Sequence, residues 1–194
     1  MRLPLPSQAA LLHHAVRART LPRDPPPAGR IVRPGPGQES VWDFPRPPRV
    51  EPVTARVRVV AFGQTVADST RVLRIVETAG APCYYIPPGD CAVAMLVKTD
   101  DWSLCEWKGI AFAYDVVSAD RRSPAAAWAY PEPLTDLGMG YERLAGFFAF
   151  YAGRVDACFI GDEAVRPQGG GYYGGWITSN LTGPIKGDPG SGNW

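Results

Sequence analysis

Apolar positions recur with period two in short runs through the middle of the chain, the pattern of strands that bury one face, and helical periodicity is scarce. The clearest run is Lys108 to Ser118, with Ile110, Phe112, Tyr114 and Val116 on one face and Ala111, Ala113, Asp115 and Val117 on the other; it predicts a central strand. Arg56 to Phe62 alternates charged and apolar residues before Gly63-Gln64, which predicts a half-buried strand entering a turn, and Thr65–Asp68 and Val72–Glu77 continue it as a hairpin or meander. Cys83 to Ile86 is aromatic and β-favouring. Pro87-Pro88-Gly89-Asp90 then stops it, and Asp90 is placed to cap a helix of one or two turns through Leu96. Ala125–Tyr130 and Phe147–Tyr151 predict further short strands, with a helical turn at Tyr141–Gly146. Arg154–Ile160 and Glu163–Val165 form a hairpin pair about Gly161-Asp162.

The pattern breaks at both ends. Residues 1–52 hold twelve of the 21 prolines, so little helix or central strand is sustainable there. We expect residues 1–40 to be a disordered Pro/Arg-rich arm, with a short helix available at Ser7–Arg19. The acid-free, Arg-rich start fits a mitochondrial presequence, and a dispensable or mis-started leader is the preferred reading. Val41 to Pro48 carries Trp42 and Phe44 in a polyproline-like setting, expected to be ordered although loop-like. The β-rich domain is placed at residues 41–165, with its core at 53–161. Residues 166–194 form a Gly-rich C-terminal extension that either wraps the domain or floats, since it has no core of its own.

Composition agrees with a mainly β, single compact domain: 21 Gly and 21 Pro argue against long helices. Residues 1–52 carry eight Arg against four acids, while the rest carries twelve Lys/Arg against fifteen acids. A slightly acidic domain lacks the clustered cations that phosphate backbones need, so no nucleic-acid partner is expected. Cysteines fall at 83, 91, 105 and 158 without a C-x-x-C pair, and the only histidines are His13 and His14, so no zinc is expected. No apolar run approaches the ~20 residues of a membrane helix, and a cytoplasmic location with reduced thiols is expected.

The order of several motifs resembles the family catalogued as domain of unknown function 427, also labelled nucleotidyltransferase-like. They are Arg56-Val57-Arg58-Val59 with Ala67-Asp68-Ser69-Thr70, Glu77-Thr78, Tyr84-Tyr85-Ile86-Pro87, Cys105 with Lys108-Gly109, Trp128-Ala129-Tyr130-Pro131-Glu132-Pro133, and Phe150-Tyr151 before Val155-Asp156. Glu39 to Arg49 and Gly174 to Thr178 resemble extensions of longer members. The resemblance implies an all-β, β-tent-like domain, of the shape shared with zinc-binding guanine-nucleotide-exchange-type relatives whose metal-binding cysteine pairs are missing here. Members often carry a basic residue or histidine and then Thr-x-Cys-Pro before the Lys-Gly pair; this chain has Asp100 to Glu106 there. The family label implies a nucleoside triphosphate and a divalent cation, yet Asp100-Asp101 is the one close carboxylate pair of the sort that holds metals.

The turn Cys105-Glu106-Trp107-Lys108-Gly109 is the most suggestive stretch. An ammonium at a strand entry can clamp a carboxylate or phosphate, or act as a base when desolvated; the bland reading is a surface lysine whose stem covers Trp107. Glu77 is a candidate counter-charge or acid/base group, against the ordinary fate of a solvated strand-end glutamate. Cys105 is a candidate nucleophile with Lys108 as its nearby cation, against a buried structural thiol; the spacing puts the two on opposite faces unless the chain turns at Trp107. Catalytic candidates are therefore Lys108, Glu77 and Cys105, and ligand-binding candidates are Tyr85, Trp107, Lys108, Trp128, Tyr130 and Tyr151, whose rings otherwise serve the core. Gly169-Gly170-Gly171 lacks the Gly-Lys-Ser/Thr context of a phosphate loop. The reading is a small-ligand-binding β domain with an aromatic pocket around a lysine, catalysis left open; the alternative is a non-enzymatic interaction module that meets a protein partner through the Pro-rich arm.

Overall fold

Along the chain, the computed structural model gives α1 (Gln8–Arg19), β1 (Glu39–Ser40), β2 (Arg49–Pro52), β3 (Val57–Ala61), β4 (Gln64–Ser69), β5 (Leu73–Val76) and β6 (Cys83–Tyr85). Then follow β7 (Leu96–Cys105), β8 (Gly109–Ser118), β9 (Arg121–Ala129), β10 (Phe148–Phe150), β11 (Ala157–Ile160), β12 (Glu163–Ala164), β13 (Arg166–Pro167), β14 (Trp176–Ile177) and β15 (Leu181–Thr182). The structure describes residues 6–24, 26, 29–187 and 189–194. It is mainly β and a single domain, as the period-two runs predict.

Three sheets carry the architecture, in the orders β2-β5-β6, β12-β11-β3-β4 and β10-β9-β8-β7. A reciprocal bridge joins the first to the third, with Ile86 N donating to Phe148 O at 2.8 Å and Phe148 N to Ile86 O at 2.9 Å. Strand parity then sorts side chains into two cores. Val57, Val59, Val66, Ile86, Phe148 and Phe150 join one cluster. Leu73, Ile75, Tyr85, Trp128, Tyr130 and Ala149 join the other, with β9 and β10 giving opposite faces to the two. Trp128 stands between Ala113 of β8 and Ala149 of β10, and these small side chains leave its indole room.

Two local readings are corrected. Asp90 caps no multi-turn helix: Pro88–Asp90 and Val93–Met95 are single 3-10 turns, and the Asp90 carboxylate instead accepts from Ser69 Oγ and Arg71. The residues after them form β7, an edge strand that the hydrophobic pattern does not reveal because its outward positions are polar on both sides. A bulge between Lys98 and Trp102 interrupts its register with β8, with Thr99 Oγ1 donating to Ala113 O.

Gln8–Arg19 of the expected arm is helix α1, begun by Ser7 Oγ accepting from Ala10 N. It buries Leu11 and Ala15 against Leu104, Ile110 and Leu134. Arg19 closes the contact, donating from Nε to Glu106 O at 2.7 Å and from its guanidinium to Asp136.

The C-terminal extension wraps the domain. β13 pairs with β14, and β15 runs parallel to β1. Trp176 is fully buried, stacks on Tyr84 with ring centroids 5.1 Å apart, and donates from Nε1 to Phe150 O at 2.8 Å. A segment with little apolar content is thereby anchored through one large side chain.

Candidate functional site

The β7–β8 turn is the centre of the site. Cys105 and Gly109 pair across the two strands, so Glu106, Trp107 and Lys108 make the reversal. Gly109 adopts φ +95°, and a side chain there would press on Leu134, whose N–H is bonded to Lys108 O at 3.0 Å. This reversal cancels the parity objection and turns both Cys105 and Lys108 into one cavity of about 370 Å³, a size that suits a small ligand.

Lys108 is only 7 % exposed. Its Nζ lies 5.8 Å from the centre of the Tyr130 ring, and among the described residues the ammonium makes no hydrogen bond and no ion pair. Burial works against its charge, and the acidic groups gathered about it, Cys105, Tyr130, Tyr85 and Glu77, raise its pKa.

Strand parity supplies the walls. Tyr85, Trp128, Tyr130 and Tyr151 all face the cavity, with the rings of Trp128 and Tyr151 4.6 Å apart and those of Tyr85 and Tyr130 6.3 Å apart. Trp128 Nε1 donates to Tyr85 Oη at 3.4 Å. That bond occupies an acceptor of the phenol and leaves its proton to be donated elsewhere. Burial raises the pKa of both Tyr85 and Tyr130, so both phenols are neutral donors at physiological pH.

Among the candidates from sequence, Lys108, Glu77, Cys105, Tyr85, Trp128, Tyr130 and Tyr151 line this one cavity. Glu77 makes no ion pair with Lys108 and acts on it only at longer range; its carboxylate pairs with Arg46 Nε at 3.1 Å, and Arg46 also donates to Thr78 O. Trp107 does not line the cavity. Its ring packs within the second core, with the Arg19 guanidinium 5.5 Å from the ring centre. Asp100-Asp101 falls in the β7 bulge, outside the cavity lining.

Several lining residues escape the sequence reading. Cys83 shares the cavity face with Tyr85, a period-two signal that the sequence contains; burial pushes its thiol up to about 11. Gln168, Tyr172, Tyr173 and Lys186 come from the extension and carry no sequence signal. Gln168 is buried and ties the pieces together, its Oε1 accepting from Ala81 N at 3.0 Å and its Nε2 donating to Lys186 O at 2.8 Å. Gly174 and Gly175 let this segment close in: a Cβ at Gly174 would meet the Trp128 ring at 2.1 Å, and one at Gly175 would meet Gln168 Oε1 at 2.2 Å. Among the described residues no group of three or more His, Cys, Asp or Glu is arranged to hold a metal ion, and no helix is long and apolar enough to cross a membrane.

Fold and site together define a mainly β domain that encloses a lysine-centred aromatic cavity. The family model described as Domain of unknown function (DUF427) matches residues 49–161, more than half of the chain, and the chain belongs to that family. No curated protein matches it. The matched segment supplies Lys108, both cavity cysteines and the wall rings Tyr85, Trp128, Tyr130 and Tyr151, whereas Arg23 precedes it and Gln168, Tyr172, Tyr173 and Lys186 follow it.

Proposed function

We propose that this domain binds a small organic anion, with the anionic group on Lys108 and a flat apolar body between the tyrosine and tryptophan rings. The observation that carries the reading is the Lys108 ammonium, nearly buried, facing a cavity, and without a partner among the described residues. A buried charge is costly unless something compensates it, and a bound carboxylate or phosphate does so through charge-assisted hydrogen bonds. The neutral phenols of Tyr85 and Tyr130 add donors to the same end of the cavity. The two cavity carboxylates, Glu77 and Glu106, are each paired with an arginine, Arg46 and Arg23, which favours an anion over a divalent cation as the occupant.

A thermal-shift screen of aromatic carboxylates, sugar acids and nucleotides tests it on wild type and Lys108→Met, a substitution that keeps the buried stem. A ligand present at about a hundred times its Kd stabilises by about 2.7 kcal/mol, roughly 5–10 °C for a chain of this size. The expected result is at least one anion that shifts the wild type and leaves Lys108→Met unmoved. Equal shifts in both proteins, or none with any anion, overturn the reading.

A further inference from the structure

The residues that complete the cavity from outside the family match bring a second cation, and it is fixed with some care. The Lys186 backbone is bonded on both sides, its N–H to Ala79 O at 2.8 Å and its carbonyl to Gln168 Nε2 at 2.8 Å. Its stem passes over Gly80, where an added Cβ would lie 3.7 Å from Lys186 Cε, and its ammonium stands 4.7 Å from the centre of the Tyr173 ring. Among the described residues it makes no ion pair. Glu77 and Glu106 are the acids near it, and both are engaged by Arg46 and Arg23. Arg23, Lys108 and Lys186 thus line the hollow with Glu77 and Glu106, and since Arg23 pairs with Glu106 and Arg46, from outside the lining, with Glu77, the two lysines are left without a carboxylate of their own. Cys83, Lys108 and Lys186 line the same cavity.

We infer that the ligand of this chain carries two anionic groups, one bound by Lys108 and the other by Lys186. This rests on the Lys108 reading above and adds the substrate class. A monoanion leaves one of the two ammonium groups without an anionic partner, whereas a dianion compensates both. The rings that line the cavity with the two lysines suit a flat, unsaturated or aromatic spacer. The division of labour also follows the chain: the matched family segment provides the first anion site, and the wrapped extension provides the second.

Calorimetric titration at low salt with benzoate and with the three benzenedicarboxylates tests the inference. We expect at least one dicarboxylate to bind wild type tenfold or more tightly than benzoate, since one charge-assisted bond is worth roughly that factor or more. Lys186→Met removes this advantage and leaves benzoate affinity within about twofold, Lys186→Arg restores most of it, and Lys108→Met weakens benzoate and dicarboxylates alike. Circular dichroism and thermal unfolding of each variant check that it is folded. Benzoate binding that depends on Lys108, with no dicarboxylate preferred or with the preference intact in Lys186→Met, overturns the two-anion inference and leaves the Lys108 reading standing. Failure of all four probes to bind overturns the inference and counts against that reading as well.

Discussion

Trp128 Nε1 donates to Tyr85 Oη at 3.4 Å across the junction of two sheets, and the two rings meet edge to face with centroids 6.2 Å apart. The contact exists because β6 and β9 each present one aromatic residue to the same side, while their neighbours Tyr84, Ala127 and Ala129 serve the opposite core. It also orients the Tyr85 hydroxyl proton, so a feature of packing becomes a feature of the cavity.

Gly174 keeps the extension against that pair. Alanine there would put a methyl carbon 2.1 Å from the Trp128 ring, so either the ring or the loop must move. Gly174→Ala is expected to cost about 1–3 kcal/mol in urea unfolding, the usual penalty of an overpacked contact. It should also weaken any ligand whose binding depends on Lys108. Wild-type stability and affinity in this variant would mean that the extension does not close on the indole.

Trp176 has the same role in the first core. Trp176→Ala removes its stack on Tyr84 and its bond to Phe150 O, and a loss of about 3–5 kcal/mol is expected. Limited proteolysis should then cut within residues 168–194 far faster than in wild type. A variant that loses stability but keeps the extension protected would show that β13, β14 and β15 hold it without the tryptophan.

The strands were legible because burying one face imposes alternation, and Arg56–Phe62, Cys83–Ile86 and Lys108–Ser118 display it. β7 was not, because an edge strand with exposed polar positions carries no such constraint. The same logic divides the site. Tyr85, Trp128 and Tyr130 follow from parity, and Lys108 from its place at a strand entry. Trp107 packs in the second core beside the cavity and not in its lining, a distinction that parity does not draw inside a turn. Lys186 and Gln168 were invisible, since their positions come from long-range bonds to Ala79 and Ala81 and not from any local pattern.

Helix α1 is fastened by a pair that responds to acid. The hydrogen bond from Arg19 holds the Asp136 carboxyl below its ordinary pKa, against a smaller opposing effect of burial. With the folded-state pKa depressed, the pair's contribution is complete above the unfolded carboxylate pKa of about 3.9 and is lost as pH falls from there through the folded-state value. The pair is partly open to water, so its worth is held to about 1 kcal/mol or less. Hydrogen exchange of residues 8–19 should therefore quicken as pH drops below about 4, beyond the intrinsic trend, and Asp136→Asn should show the quickened rate already at pH 6. Identical protection in wild type and Asp136→Asn at pH 6 would remove the pair as the fastening.

Cys83 and Lys108 share the cavity, but burial dominates the thiol and pushes it up to about 11, with the pull of the Lys108 ammonium only partly offsetting that. A thiol with that pKa is about 0.1 % thiolate at pH 8, and thiolate is the species that alkylates. Iodoacetamide should therefore modify Cys83 at pH 8 more than a hundredfold slower than a free cysteine, at a rate rising about tenfold per pH unit up to about pH 11. Lys108→Met removes the favourable cation and should slow the reaction further. Mass spectrometry of the peptide containing Cys83 reads this directly, separately from the other three cysteines. A faster reaction in Lys108→Met would mean that the lysine shields the thiol and does not stabilise its anion, and that the two groups do not meet in one electrostatic environment.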